Sequence, residues 1–206
     1  MRLELTAHPA AATTGRVAVK LIAAQNVLHL VYDIEVYDIE VYDIEVHDIE
    51  AVDAIVVPPL RAASAQRHDE LWRHTCCELF AGSAACVSNS AGGPYREFNF
   101  APSGDWAAYA FDSPRCGMRP LTLETAPCVR ASDTAAAALV REAPANSQRL
   151  SLKVELPRSA VDGYPFLWPT VVLETTRGIS YWALRHHGAQ ADFHRTENFL
   201  TAVGVT

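Results

Sequence analysis

Two glutamates stand inside apolar, strand-like segments near the middle of the chain, where a carboxylate is unusual. Glu78 lies in TCCELF and Glu97 lies in YREFNF. A carboxylate in such a setting either faces water or faces a group that uses it, because burying an unpaired charge is costly. Successive side chains of a strand point to opposite faces, so Glu97 and Asn99 share one face while Phe98 and Phe100 share the other. We expect Glu78, Glu97 and Asn99 to form hydrogen bonds with a polar ligand.

Tryptophans near these segments offer the apolar half of a sugar-binding site. Sugar recognition combines an aromatic surface for the C–H face of the ring with carboxylates or amides for paired hydroxyls. The candidate stacking surfaces are Trp72, Trp106 and Trp182. The alternative is that the phenylalanine face forms the core, that the polar residues are solvated, and that the tryptophans pack beneath loops.

Charged loop residues border the same block of sequence. They are Arg67, His68, Asp69 and Arg115. Each is able to reach an anionic group of a ligand, such as an acidic or phosphorylated sugar, and Arg115 is included among the ligand-binding candidates. The alternative for all four is an ordinary solvated loop charge.

A second cluster of chemically active side chains lies near the end of the chain. His186, His187, Asp192 and His194 fall within one short segment, and imidazoles with a carboxylate are able to ligate a metal ion. Their spacing matches no defined metal motif, so His186, Asp192 and His194 are weak metal candidates, and His194 is also a ligand-binding candidate. The alternative function is a metal-assisted hydrolase or sugar-modifying enzyme that uses this cluster.

Catalysis by the carboxylates themselves is a further alternative. A general acid–base pair formed by Glu78 and Glu97 needs a matched separation and a shifted pKa, and neither property is visible in a sequence. The chain contains no GxSxG, P-loop or Rossmann fingerprint. We therefore assign no catalytic residue and expect a binding protein rather than an enzyme.

The elements that must position these residues are strands. About ten strand-like segments alternate with turn-rich connections, and no helical period is sustained. In the segment at 149–156, for example, leucines and valine alternate with polar residues without interruption. The pattern predicts a single all-β domain over residues 1–206, built as an antiparallel β-sandwich or jelly roll.

A short tandem repeat interrupts this pattern. VYDIE occurs three times and VHDIE once over residues 31–50. A five-residue unit exchanges the two faces of a strand at every copy, which a strand with one buried face does not tolerate. The repeat is therefore interpreted as a duplication that lengthened a connection between strands. An alternative is a structural or interaction module that self-associates through the repeat.

Three segments together resemble the DOMON-like β-sandwich domains related to family-9 carbohydrate-binding modules. They are LWRHTCCELF, YREFNFAPSGDWAAYAF and SYWALRHHGAQADFHRTENF, and the resemblance covers roughly residues 67–200. In that family a Glu-x-Phe strand precedes a Tyr-x-Glu-x-x-x-x-Pro-x-Gly strand and turn; here these are Glu78–Phe80 and Tyr95–Gly104. The resemblance implies a jelly-roll-like sandwich that binds a small ligand, usually a sugar and sometimes heme, without chemical turnover.

The resemblance leaves the cofactor open. Heme-binding members of the family use methionine or histidine as axial ligands, and the only internal methionine is Met118, beside eight histidines with no defined pair. We expect no cofactor, with heme or a metal ion as the minor alternatives. The expected partner is a small molecule of sugar-like chemistry.

Composition restricts the remaining possibilities. The net charge of −7 argues against a nucleic-acid or anionic-membrane surface. The N-terminal residues lack the apolar stretch of a signal peptide, and five cysteines without CxxC spacing suit reduced thiols, so we expect a cytoplasmic protein. Two lysines beside abundant alanine are typical of a GC-rich bacterial genome.

Overall fold

The strands of this protein form one curled antiparallel sheet, as seen in a computed structural model of the chain. The structure describes residues 1–11, 13–37, 54–57, 66–131, 147–199 and 202–204. The strands are β1 Arg2–Ala7, β2 Gly15–Ala23, β3 Val27–Tyr37, β4 Cys76–Gly82, β5 Tyr95–Phe100, β6 Trp106–Phe111, β7 Arg119–Pro120, β8 Cys128–Ala131, β9 Ser147–Pro157, β10 Phe166–Thr175, β11 Gly178–Ala183 and β12 Val203–Gly204. The predicted all-β class is confirmed.

Helical structure in the described residues is short. The helices are α1 Ala84–Ser88 and α2 Thr196–Phe199, and 3-10 turns occupy Leu71–Arg73 and Arg158–Val161. No helix within these residues has the length and apolar character needed to cross a membrane.

The sheet divides into two halves that face each other across the main core. Its strand order is β7-β6-β5-β4-β10-β11-β1-β2-β3-β9-β8, with β12 added beside β10. Strand β1 joins the halves, because its residues 2–5 pair with β2 and its Thr6 and Ala7 pair with β11. We call β7-β6-β5-β4-β10-β11 the site half and β2-β3-β9-β8 the back half.

The back half shows how the sequence builds this core. In β3 the side chains of Leu28, Leu30, Tyr32, Ile34 and Val36 are buried and alternate with more exposed residues. Full burial of one such aliphatic side chain contributes about 1.5–3 kcal/mol to stability. The Tyr32 hydroxyl crosses the core and donates a hydrogen bond to the Glu78 carbonyl at 2.7 Å, which ties the back half to the strand that carries the first candidate glutamate.

The first part of the repeat is a strand in the structure. Residues 31–37 belong to β3 itself, where Val36 is fully buried, rather than to a connection between strands. Residues 38–50 lie outside the described residues, and so does the predicted self-association through them. Alternation explains why the first unit fits the strand: its Tyr32 and Ile34 continue the buried face begun by Leu28 and Leu30.

Two strand-like segments of the sequence are only partly strands in the structure. The segment at 52–57 contributes an isolated bridge from Ile55 to Thr175, with residues 52 and 53 outside the described residues. The segment at 121–130 becomes a strand only from Cys128 onward. The 3-10 turn at Arg158–Val161 leads to Gly163, which has a positive φ of 80°.

Candidate functional site

The site half of the sheet is buried on both faces, which is unusual for an antiparallel sheet. The adjacent Cys76 and Cys77 show this directly, because Cys77 packs in the main core and Cys76 packs in a second cluster on the outer face. The main core also receives Phe98 and Phe100. Glu78, Glu97 and Asn99 project on the outer face, and all three are buried. The alternative that the glutamates and asparagine are solvated is therefore wrong.

Residues 191–199, which we call the covering segment, cover part of this outer face. Phe193 and Phe199 are buried against Phe80 and Trp168 of the sheet. Between the covering segment and the sheet lies a cavity of about 360 Å³. Its lining residues are Trp72, Glu78, Glu97, Phe111, Arg115, Met118, Val172, Tyr181, Ala191, Asp192, Phe193 and His194. A cavity of this size accommodates a small ligand.

Glu78 forms the deep wall of the cavity. It lies in β4, directly opposite Asn99 of β5 on one side and Thr170 of β10 on the other. Its side chain is 2% exposed, and its Oε2 accepts a hydrogen bond from the Thr170 hydroxyl at 2.8 Å. Its Oε1 has no hydrogen-bond partner among the described residues, so one oxygen is held by the sheet and the other is available to a ligand.

Glu97 is arranged in the same way on the next strand. Its Oε1 accepts a hydrogen bond from the Asn99 side-chain amide at 2.8 Å. Its Oε2 lies 3.7 Å from Nε2 of His194, which is beyond hydrogen-bond distance. Asn99 is fully buried and orients Glu97 from behind, so its role is positioning rather than direct contact with the cavity.

Burial changes the protonation of both glutamates. Loss of water raises the pKa of Glu78 to about 8, with a further contribution from the nearby charge of Glu97. Loss of water also raises the pKa of Glu97, while hydrogen bonding to Asn99 and the charge of Arg115 act in the opposite direction. Two carboxyls in one dry cavity resist becoming anions together, so the pair retains a proton at neutral pH.

His194 stands above Glu97 as a neutral side chain. Burial, reinforced by the positive charge of Arg115, lowers the pKa of His194 to about 4. Its Nδ1 lies 2.7 Å from the Tyr95 hydroxyl, and that hydroxyl accepts a hydrogen bond from the Arg115 backbone N–H at 3.3 Å. We assign the Tyr95 O–H as donor to Nδ1 on this network, which leaves the imidazole proton on Nε2, facing Glu97.

Arg115 lines the cavity and has a strained backbone conformation. Its φ is 58°, a left-handed value that a residue with a Cβ adopts only at a cost. Its guanidinium pairs with Asp192 at 2.8 Å, and Asp192 also accepts a hydrogen bond from the His194 backbone N–H at 3.0 Å. The loop after β6 is thereby joined to the covering segment beside the cavity.

Of the eight predicted ligand-binding residues, five line the cavity and three do not; the three are Asn99, which lies behind Glu97, Trp106 and Trp182. The five that line the cavity are Trp72, Glu78, Glu97, Arg115 and His194. Trp106 and Trp182 instead pack in the main core, 9% and 3% exposed. Trp182 donates its indole N–H to Ser180 at 2.9 Å. Both tryptophans face away from the cavity, so their predicted role in stacking on its ligand is not supported.

Several wall residues are missing from the sequence-based prediction. Phe111, Val172, Tyr181 and Phe193 complete the apolar lining. Tyr181 and Trp182 are neighbours in β11 and point to opposite faces, so only one of the two side chains is able to face the cavity, and it is Tyr181. In β6, likewise, Tyr109 and Phe111 lie on the outer face and Trp106 lies on the face of the main core.

The predicted metal candidates do not converge. Among the described residues no group of three His, Cys, Asp or Glu side chains is placed to hold a metal ion. His186 Nε2 is hydrogen-bonded to the Thr6 carbonyl at 2.8 Å, and Asp192 is paired with Arg115. His194 faces Glu97 and Tyr95 instead of these two residues.

The remaining charged loop residues interact mainly with one another. Arg67 pairs with Asp69 at 2.9 Å, and Asp69 accepts a hydrogen bond from the Tyr109 hydroxyl. His68 Nδ1 is hydrogen-bonded to the Asp69 carbonyl. None of the three belongs to the cavity lining described above.

The residues present do not fit heme. Met118 and His194 both line the cavity, and these are the two residue types that serve as axial ligands. However, Nδ1 of His194 is hydrogen-bonded to Tyr95 and its Nε2 is directed at Glu97. Two buried carboxyls also form the deep wall, where a porphyrin needs an apolar slot. Nδ1 of His194 is therefore not open to iron, and its Nε2 faces a carboxyl rather than an apolar slot.

Comparisons of this chain with protein-family models, with curated protein sequences and with solved structures found no match.

Proposed function

We propose that this protein is a non-catalytic binding domain that holds a carbohydrate-like small molecule in the cavity beneath its C-terminal segment. The observation that supports the proposal is the pair of buried glutamates. Glu78 and Glu97 each have one oxygen fixed by the sheet and a second oxygen without a hydrogen-bond partner among the described residues. A ligand with several hydroxyl groups satisfies both free oxygens.

The protonation of the pair suits hydroxyl groups. A hydroxyl both donates and accepts hydrogen bonds. A carboxylate accepts only, whereas a protonated carboxyl also donates, so a pair that retains one proton offers both functions. Raised pKa values of Glu78 and Glu97 therefore give the pair both of the hydrogen-bonding functions that a polyhydroxy ligand uses.

The apolar walls supply the second half of sugar recognition. Trp72 lies at the cavity with part of its ring exposed and packs edge-on against Tyr109 at a centroid distance of 5.7 Å. Tyr181 also lines the cavity and is 38% exposed. Aromatic rings of this kind bury the C–H face of a sugar while polar groups take its hydroxyls.

The placement of the two glutamates suits hydrogen bonding along one side of a ligand. Glu78 and Glu97 rise from adjacent strands, β4 and β5, on the same face of one sheet. They therefore present a single wall to the ligand, which suits two hydrogen bonds along one side of a sugar.

A glycan array followed by titration calorimetry tests this proposal. We expect the wild-type protein to retain at least one sugar and Glu97→Ala to bind that sugar at least tenfold more weakly. Glu155→Gln is the matched control, because Glu155 is a strand glutamate whose side chain is 56% exposed on the back half. Near-ultraviolet circular dichroism establishes that the variants are folded. Absence of every sugar, or unchanged affinity in Glu97→Ala, contradicts the proposal.

A further inference from the structure

Acidic residues outnumber basic residues in the lining of the cavity. Three of the lining residues are acidic and one is an arginine. The arginine, Arg115, is already paired with Asp192, and His194 is held neutral by burial. Glu78 and Glu97 thus face the cavity without a dedicated cation from any lining residue.

This arrangement is costly unless something offsets it. A buried carboxylate needs a partner of opposite charge or must keep its proton. Thr170 and Asn99 each satisfy one oxygen of one glutamate, but neither side chain carries charge. The free oxygens of Glu78 and Glu97 therefore define a position at which a positive charge is more favourable than a neutral group.

The walls are also suited to a cation. Trp72, Phe111, Tyr181 and Phe193 line the cavity, and aromatic faces attract ammonium groups. Buried carboxyls behind aromatic walls combine the two features that proteins use to hold a charged nitrogen. A neutral sugar uses the aromatic surface and hydrogen-bonds to the carboxyls, whereas an ammonium group also pairs with them as carboxylates.

We propose that the ligand of this cavity carries a protonated amine, as in an amino sugar, and that its ammonium group lies between the free oxygens of Glu78 and Glu97. The inference rests on the proposed function, since the ring and hydroxyls are those of a carbohydrate. It adds that one hydroxyl is replaced by a charged nitrogen.

Binding then displaces the proton that the glutamate pair retains. The ammonium stabilises both carboxylates, so the proton leaves the pair and passes to the solvent buffer. The titratable and charged groups around the pair are Cys76 on β4, Tyr95 on β5, Tyr109 on β6, Arg115 on the following loop, and Asp192 and His194 on the covering segment. Of these, Arg115 alone is a cation, and its charge is shared with Asp192.

Titration calorimetry with four probes tests the inference. The probes are glucosamine, N-acetylglucosamine, glucose and cyclohexylamine, each measured near neutral pH, where the glutamate pair retains its proton and amines are largely charged. We expect glucosamine to bind at least tenfold more tightly than glucose or N-acetylglucosamine. Its apparent enthalpy is expected to differ between phosphate and HEPES buffers by an amount that corresponds to proton release.

Variants separate the charge from the shape of the site. Glu78→Gln keeps the volume of the side chain and removes one carboxylate, so it is expected to lose most of the preference for glucosamine over glucose and most of the proton release. Glu155→Gln on the exposed side of β9 is expected to change neither. Retention of the full preference in Glu78→Gln overturns the inference.

The probes also distinguish failure of the inference from failure of the proposed function. Equal affinity for glucosamine and glucose overturns the charged-nitrogen inference and leaves carbohydrate binding intact. Binding of cyclohexylamine alone supports the position of the ammonium group and contradicts the proposal that the ligand is a carbohydrate. No binding of any of the four probes counts against both.

Discussion

Nε2 of His194 lies 3.7 Å from Oε2 of Glu97, so a residue of the covering segment meets a buried carboxyl of the sheet. The other ring nitrogen is fixed by the Tyr95 hydroxyl at 2.7 Å. The contact joins two elements that are far apart in the sequence. It also places a titratable ring beside the carboxyl that we propose binds the ligand.

The first prediction concerns the charge of this ring. Burial lowers the pKa of His194 to about 4, whereas a free histidine has a pKa near 6.5. We expect the imidazole to remain neutral, with its proton on Nε2, throughout the range from about pH 5 to pH 8. Side-chain nitrogen chemical shifts measured by NMR, assigned by comparison with His194→Gln, report both properties. A His194 signal that titrates near pH 6.5 would show that the ring is solvated.

The second prediction concerns stability as a function of pH. Because the folded protein raises the pKa of Glu78 to about 8, the folded state binds this proton more tightly than the unfolded state. The resulting stabilisation is complete below the unfolded pKa and is lost as pH rises through the folded pKa. The depressed pKa of His194 acts at lower pH, between about 4 and 6.5. Above that range the glutamates dominate.

We therefore expect the free energy of unfolding to fall between about pH 6.5 and pH 8.5, by on the order of 1–3 kcal/mol. In Glu78→Gln this fall is expected to be much smaller, because the amide does not titrate. Urea denaturation at several pH values measures the effect, with Glu155→Gln as the control that keeps the wild-type slope. A wild-type protein whose stability rises over this range would contradict the prediction.

Strand alternation predicted one side of the site and not the other. Placing Glu97 and Asn99 on one face and Phe98 on the opposite face needs only the two-residue period of a strand, and the structure agrees. The same period is silent about Tyr181 and Trp182, since both faces of the site half are buried and apolar character marks neither. Only long-range pairing decides which aromatic side chain reaches the cavity.

The sequence also did not predict which segment covers the cavity. Local pattern gives no information about which sheet face a terminal segment will cover. The contact between His194 and Glu97 therefore depends on tertiary packing. Both residues were recognised individually as candidates, because their types can do chemistry, but nothing in their spacing joins them.

The third prediction separates a binding tryptophan from a structural one. Trp72 lines the cavity and packs against Tyr109, so Trp72→Ala is expected to weaken sugar binding at least tenfold and to cost little stability. Trp182 is 3% exposed in the main core, so Trp182→Ala is expected to cost about 3–5 kcal/mol. Affinity by calorimetry and stability by denaturation test the contrast. Equal effects of the two changes on binding would show that Trp72 does not contact the ligand.

The last prediction tests where β3 ends within the pentapeptide repeat. Residues 41–50 contain two whole pentapeptide units beyond β3. Their deletion keeps every buried residue of β3 and is expected to leave the unfolding midpoint nearly unchanged, because loop-closure entropy depends only weakly on length.

Deletion of residues 36–50 instead brings Ala51 to the position of Val36, which is fully buried and pairs with Gly15 and Gln148. The lost packing is expected to cost about 1–3 kcal/mol. Thermal and urea denaturation of the two deletions compare these costs. Loss of cooperative unfolding in the shorter deletion would show that the later units are part of the folded core.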